Sequence, residues 1–287
     1  MSKAPAFRSA LVAGLGLVGG SIARDLVARG VKVIGYDRDV ETLKSAEAEG
    51  IVPDRGSPEA TDVIILAMPI AETLWLLDNV ASKFTKALLV TDVCSTKASV
   101  VNAAEKAGIG SKFVGSHPVA GDHRSGWTAS RRGLFKGART YVCPAPSSDA
   151  SAIALAEALW KFVGAKPERI EAQTHDREVA LISHLPHVVS SALAATLAEA
   201  NVPRERLGPG GRDVTRLAGA DADLWTGIVV DNADAIVPAL DAFQRRLERF
   251  KKSLYARDST ALRAHFSDSR DWFDREPSRD SLGGGDV

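Results

Sequence analysis

Apolar positions in the first 170 or so residues come in short runs separated by stretches of helical period. Residues 9–14 form an apolar run too short for a helix, and residues 21–29 continue at helical period. The alternation repeats. It predicts strands over 31–36, 62–67, 88–91, 113–116, 140–143 and 166–170, with helices over 40–49, 70–82, 98–107 and 149–163. Strands alternating with helices predict an α/β fold with a doubly wound parallel sheet.

From about Thr174 the strand signal stops and the pattern is helical. Residues 176–199 are amphipathic with an interruption at Pro186. Residues 223–255 read as one long helix with Pro238 inside it, which is expected to kink or split it. Leu240, Phe243, Leu247, Phe250 and Leu254 recur at spacings of 3, 4, 3 and 4, the stripe of a core face or a dimer seam. A long helix in so small a domain has little chain of its own to bury against, which favours a homodimer. The expected division is therefore 1–173 and an all-helical 174–287. Ser259 is expected to cap the last helix, and a tail over about 276–287 to fray.

The turn after the first strand changes the picture. Gly14, Gly16 and Gly19 stand in G-x-G-x-x-G spacing between strand and helix, and Asp37 ends the second strand. Gly14 permits the sharp turn, Gly16 lets backbone amides of Leu15, Leu17 and Val18 approach a pyrophosphate, and Gly19 lets helix and strand pack closely. This is a Rossmann-type dinucleotide site. Asp37 suits the ribose hydroxyls of NAD and repels a 2′-phosphate, placing NAD ahead of NADP. Arg38 beside it is the residue that would tolerate the phosphate.

Lys+Arg and Asp+Glu balance at 36 each, so no global field favours nucleic acid or an anionic membrane. Two cysteines, Cys94 and Cys143, form no disulfide or zinc framework. No apolar run suggests a signal peptide or membrane span, and a cytoplasmic protein is expected.

Ligands bind outside the carboxyl ends of the strands in such sheets. That rim carries Met68-Pro69, residues 92–97 and 117–121. His117 is the candidate general base, and Ser95 a candidate donor to the same substrate oxygen. Lys97 reads as solvated. In the helical half, His184 and His187 lie one turn apart without a third ligand, so no metal site is expected. Arg212, Asp213 and Arg216 read as guanidinium groups held for a carboxylate.

These residues resemble the prephenate and arogenate dehydrogenases of tyrosine biosynthesis. The likeness runs through 14–21, 92–97, 116–121, His175-Asp176, 183–187 and 212–216 to Trp225 and Asn232. It implies NAD-dependent oxidative decarboxylation of a cyclohexadienol, prephenate to 4-hydroxyphenylpyruvate or arogenate to tyrosine. By that resemblance His117 takes the ring hydroxyl proton and Ser95 bonds the same oxygen. Arg216 binds a substrate carboxylate, His187, Ser183 and Trp225 line the cleft, and the helical half dimerises. Asp122 and His123 depart from the family pattern where the substrate side chain is expected. Alternatives are a 4-amino-4-deoxyprephenate dehydrogenase and a non-catalytic NAD sensor.

Overall fold

The computed structural model describes residues 7–52, 60–121 and 124–275. Asp122, His123 and the tail from 276 lie outside them. Strands β1 (Ser9–Ala13), β2 (Lys32–Tyr36), β3 (Val63–Leu66) and β4 (Leu89–Asp92) form a parallel sheet in the order β2-β1-β3-β4. Helices α1 (Leu17–Val27), α2 (Val40–Ala48), α3 (Ile70–Val80) and α4 (Ala98–Lys106) alternate with them. A parallel bridge from Val90 to Phe113 links this sheet to β5 (Val114–Pro118), β6 (Arg139–Pro144) and β7 (Lys166–Arg169). Between β6 and β7 runs α5 (Ala150–Phe162).

Alternate residues of one strand enter opposite layers of core. Ala10, Val12, Val63 and Ile65 pack with Ile22, Leu26 and Trp160, whereas Leu11, Ala13, Ile64 and Leu66 pack with Leu77, Val100 and Phe113. Helices cover both faces, so a central strand such as Val63–Leu66 is buried at every position and reads as an unbroken apolar run.

The last two strands reverse direction. β6 runs antiparallel to β5, with His117 opposite Tyr141, and β7 is parallel to β6. A parallel return needs a long crossover, usually a helix. Among the described residues the β5–β6 connection holds only a short turn at Trp127–Ala129. β5 also extends through Pro118, so His117 lies within the strand rather than after it.

Helix α6 (Ala172–Val179) starts after Glu171, whose carboxylate accepts from the amides of Gln173 and Thr174. It continues through a π-helical turn, Ala180–His184, into α7 (Leu185–Glu199). The wide turn directly precedes Pro186, which has no N–H for the regular ladder. By length and composition alone, an 18-residue window of the run Ala172–Glu199, with a mean hydropathy of 1.4, is apolar enough to cross a membrane. After α8 (Pro209–Thr215) come α9 (Ala222–Asp231), α10 (Ala233–Tyr255) and α11 (Ser259–Phe273).

The 223–255 pattern divides at Asn232, not at Pro238, which stays inside α10. Asn232 leaves helical geometry as its side chain bonds the Asp176 carbonyl and His184. Pro238 removes only a single early rung of α10.

Two compact units meet after Ile236 in the sequence. In the second, Phe250 packs edge-on against Phe266, while Leu247, Leu254 and Phe266 remain exposed.

Candidate active site

The glycine turn is shaped as its spacing predicts. Gly14 has φ +91°, and a Cβ there would lie 2.3 Å from the Ala67 carbonyl oxygen. A Cβ on Gly19 would lie 1.9 Å from the Gly14 carbonyl oxygen, so helix and strand touch through it. At Gly16 a Cβ would meet nothing within 4 Å, leaving open space at the start of α1. Gly16 caps α1 without a side chain, so the helix end stays available to an anion. Asp37 accepts from the Leu15 amide at 2.7 Å and the Asp39 amide at 2.9 Å, which aims its carboxylate beside the turn. Arg38 is exposed and paired with Glu72 at 3.2 Å. Met68 packs beside Gly14, and Pro69 caps α3. These residues fit a dinucleotide: open space, a bare helix end and an oriented carboxylate coincide.

At the end of β4, Asp92 and Lys97 form an ion pair with both side chains wholly buried. This corrects the reading of Lys97 as solvated. Burial would lower the Lys97 ammonium, but Asp92 against it wins and holds its pKa above the ordinary value. Asp92 also accepts from the amides of Cys94 at 2.9 Å and Ser116 at 3.1 Å, tying the 92–97 loop to β5. Burial and the Asp92 charge push the Cys94 thiol up to about 12, and burial pushes Cys143 up to about 12, so neither is a nucleophile at neutral pH. Ser95, in this loop, is half-buried and makes no hydrogen bond among the described residues.

His117 Nδ1 lies 2.9 Å from His175 Nε2, and His175 Nδ1 lies 2.8 Å from Asp176 Oδ1. His175 is fully buried, whereas His117 as a residue is of intermediate exposure. Burial, then the neighbouring His175, Lys97 and His184, push the His117 pKa well below its ordinary value. A neutral imidazole is the form that can accept a proton. Asp176 accepts from the amides of Lys97 and Ala98, both at 2.8 Å. Burial would raise its carboxyl, but the bonds from His175 and those amides outweigh it and hold it below the usual range.

On the helical side His187 and Trp225 stack with ring centroids 3.4 Å apart. The Ser183 carbonyl accepts from His187 Nδ1 at 3.1 Å. Burial lowers the His187 pKa against that bond, with a smaller push in the same direction from the Arg216 charge. His184 is buried, bonded to Asn232 at 3.0 Å, and its pKa is lowered to about 4 chiefly by burial. Ser190 accepts from the Ala218 amide and so fastens the turn carrying Arg216 to α7.

The structure therefore brings His187, Ser183 and Trp225 together and sets Arg216 near them. It does not bring Asp213 to either arginine. Asp213, Arg212 and Arg216 are all exposed, and Arg212 donates to the Glu205 carbonyl instead, so the expected held guanidinium is absent among the described residues. Asp122 and His123 fall outside the described residues. Reading residue by residue missed roles for Asp92, Lys97, His175, Asp176 and Asn232. The signal that was available is the His-Asp dipeptide opening the first helix after the last strand.

Comparison with known proteins agrees with this architecture. Residues 22–169 match the family model described as prephenate dehydrogenase, nucleotide-binding domain, and residues 171–268 the one described as prephenate dehydrogenase, dimerization domain. The chain is 34% identical to the prephenate dehydrogenase of Bacillus subtilis, over 94% of this chain and 76% of that protein. It is 35% identical to the prephenate dehydrogenase of Lactococcus lactis, over 91% of this chain and 75% of that one. The Aquifex aeolicus prephenate dehydrogenase, solved with hydroxyphenyl propionate and NAD+, superposes with a TM-score of 0.85 at 27% identity, covering 94% of this chain and 99% of that one. With two family models matched in tandem and relatives aligned over more than nine-tenths of its length, the chain belongs to the prephenate dehydrogenase family.

Proposed function

We propose that this chain catalyses the NAD-dependent oxidative decarboxylation of prephenate to 4-hydroxyphenylpyruvate, with arogenate, its amino counterpart, as the second substrate to test. The observation that carries the reading is His117 itself. It is a partly buried residue with Nδ1 tied to His175, on the same carboxyl-end rim as the glycine turn.

NAD, when bound, supplies the hydride acceptor. Gly14, Gly16 and Gly19, with Leu15, Leu17 and Val18, hold its pyrophosphate, and Asp37 its ribose, with Met68 and Pro69 alongside. Asp37 oriented toward the turn and Arg38 committed to Glu72 favour NAD over NADP. His117 takes the proton of the ring 4-hydroxyl as hydride leaves ring carbon 4, and Ser95 donates to the same oxygen. Loss of the ring carboxylate as carbon dioxide restores aromaticity and drives the step. Arg216 binds a substrate carboxylate, and His187 with Trp225 forms a flat wall against the ring, with Ser183 beside it.

In this reading the boundary near residue 173 separates a cofactor half from a substrate and dimerisation half. Leu181, Ile182, Val230, Val237, Leu247 and Leu254 are each more than half exposed in the single chain. A second copy covers such surface more readily than a bilayer covers α6, which carries His175, Asp176, Arg177 and Glu178. The protein works as a cytoplasmic homodimer without nucleic acid or membrane.

The test is turnover by the purified full-length protein with prephenate and arogenate, each with NAD and NADP. NADH formation from prephenate is the expected result. Silence in all four combinations, with NAD still bound, would overturn the assignment in favour of a sensor.

A further inference from the structure

Resting on that reading of His117, we propose that His175 and Asp176 are positioning residues that hold His117 in a single tautomer, proton on Nδ1 and lone pair on Nε2, and share the charge it acquires. Asp176 has no freedom to do otherwise. Its Oδ1 faces the Lys97 amide and His175 Nδ1, and its Oδ2 the Ala98 amide, each at 2.8 Å. An ionised carboxylate only accepts, so His175 Nδ1 carries the proton. In the neutral imidazole that leaves His175 Nε2 as an acceptor, and the group 2.9 Å from it, His117 Nδ1, is the donor. His117 Nε2, which makes no hydrogen bond among the described residues, is then left with its lone pair.

The rings are held as well as hydrogen-bonded. Tyr141 packs edge-on against His175 with centroids 5.0 Å apart and lies 6.2 Å from His117, and its hydroxyl donates to Glu178 at 2.7 Å. The charged and titratable groups facing the pair are Asp92 and Lys97 from the end of β4, Tyr141 from β6, Asp176 and Glu178 from α6, and His184 from the π turn.

The step balances. The substrate O–H bond breaks and its proton joins His117 Nε2. The Nδ1 proton of His117 shifts within its hydrogen bond toward His175 Nε2, so that positive charge spreads to the imidazole beside ionised Asp176. Hydride leaves ring carbon 4 with its electron pair to NAD, which becomes reduced, and the ring carboxylate leaves as carbon dioxide, giving a phenolate. The proton returns from Nε2 to the phenolate oxygen, resetting both histidines.

The test uses the full-length protein with nitrogen-15-labelled histidine, and ring nitrogen–proton correlation spectra at neutral pH without substrate. His117→Gln identifies the His117 signals. In the unaltered protein His117 is expected to carry its proton on Nδ1, a readout that needs no activity. His175→Gln keeps an acceptor at the position of Nε2, and His175→Leu removes it. Leu is expected to mix the tautomers and lower kcat roughly 10²-fold with KM little changed, the scale of a misplaced general base, while Gln restores most of that loss. Asp176→Asn is expected to shift the acid limb of kcat/KM to lower pH, because the imidazolium loses its counter-charge. A proton on Nε2 of His117, or equal losses in the Gln and Leu variants, would overturn the proposal. Were prephenate not a substrate at all, the functional reading would fall while the spectra still decided the tautomer.

Discussion

Lys97 and Asp92 face each other in an ion pair from which solvent is wholly excluded, and the same carboxylate holds the amides of Cys94 and Ser116. Removing one partner leaves a buried charge alone. Lys97→Met is therefore expected to cost about 3–5 kcal/mol, read as a fall in the urea midpoint of the unfolding transition. A loss within the range of an ordinary surface substitution would show the pair to be dispensable.

The glycine turn separates folding from binding. Gly19→Ala puts a methyl 1.9 Å from a backbone oxygen and is expected to lower both Tm and NAD affinity. Gly16→Ala meets no atom within 4 Å, so Tm should stay put or rise slightly while NAD binding, followed by calorimetric titration, weakens at least tenfold. An unchanged NAD affinity in Gly16→Ala would move the pyrophosphate elsewhere.

Kinetics divide His117 from Arg216. His117→Gln is expected to lower kcat by roughly 10²–10⁴-fold with KM near its original value. Arg216→Ala, losing one charged hydrogen bond to a substrate carboxylate, is expected to cost about 1.5–3 kcal/mol, appearing mainly as a raised KM. Exchange of these two phenotypes would contradict both roles.

Stability should depend on pH through His184. Its folded pKa of about 4 lies below its ordinary 6.5, so between those values the unfolded chain binds more protons than the folded one. Stability is full above about pH 6.5 and falls as the pH drops toward 4, by about 3 kcal/mol from this group. His184→Gln, which cannot titrate, should flatten that slope in denaturation curves taken across the window. A slope unchanged by the substitution would assign it to other groups.

Leu247 and Leu254 are each 53% exposed on α10. If a second copy covers them, Leu247→Glu with Leu254→Glu should convert a dimer into a monomer in sedimentation equilibrium. A dimer that survives the double change would place the seam on another face.

Much of this site was legible along the chain because its parts are local. The three glycines act through the backbone of one turn, and Asp37 sits at the end of the next strand, so spacing carries the information. His117 could be singled out from its place at a strand end. The reversal of β6, by contrast, shows only in the pairing of β5 with β6, residues that lie more than twenty positions apart. The division at Asn232 depends on partners some fifty residues away, Asp176 and His184.

What the sequence by itself determined is the alternation of strands and helices, the glycine turn between the first strand and helix, and the candidate for the base, each written in periodicity or in residues adjacent in the chain. Only the tertiary structure decided that Lys97 is buried against Asp92, that Asp213 stays apart from Arg216, and that His117, His175 and Asp176 form one hydrogen-bonded line. Those outcomes rest on burial and on which side chains the fold brings together, above all the 2.9 Å approach of His117 to His175, 58 residues along the chain. Hydropathy carries neither quantity, since a lysine or a histidine reads the same whether water or a carboxylate lies beside it.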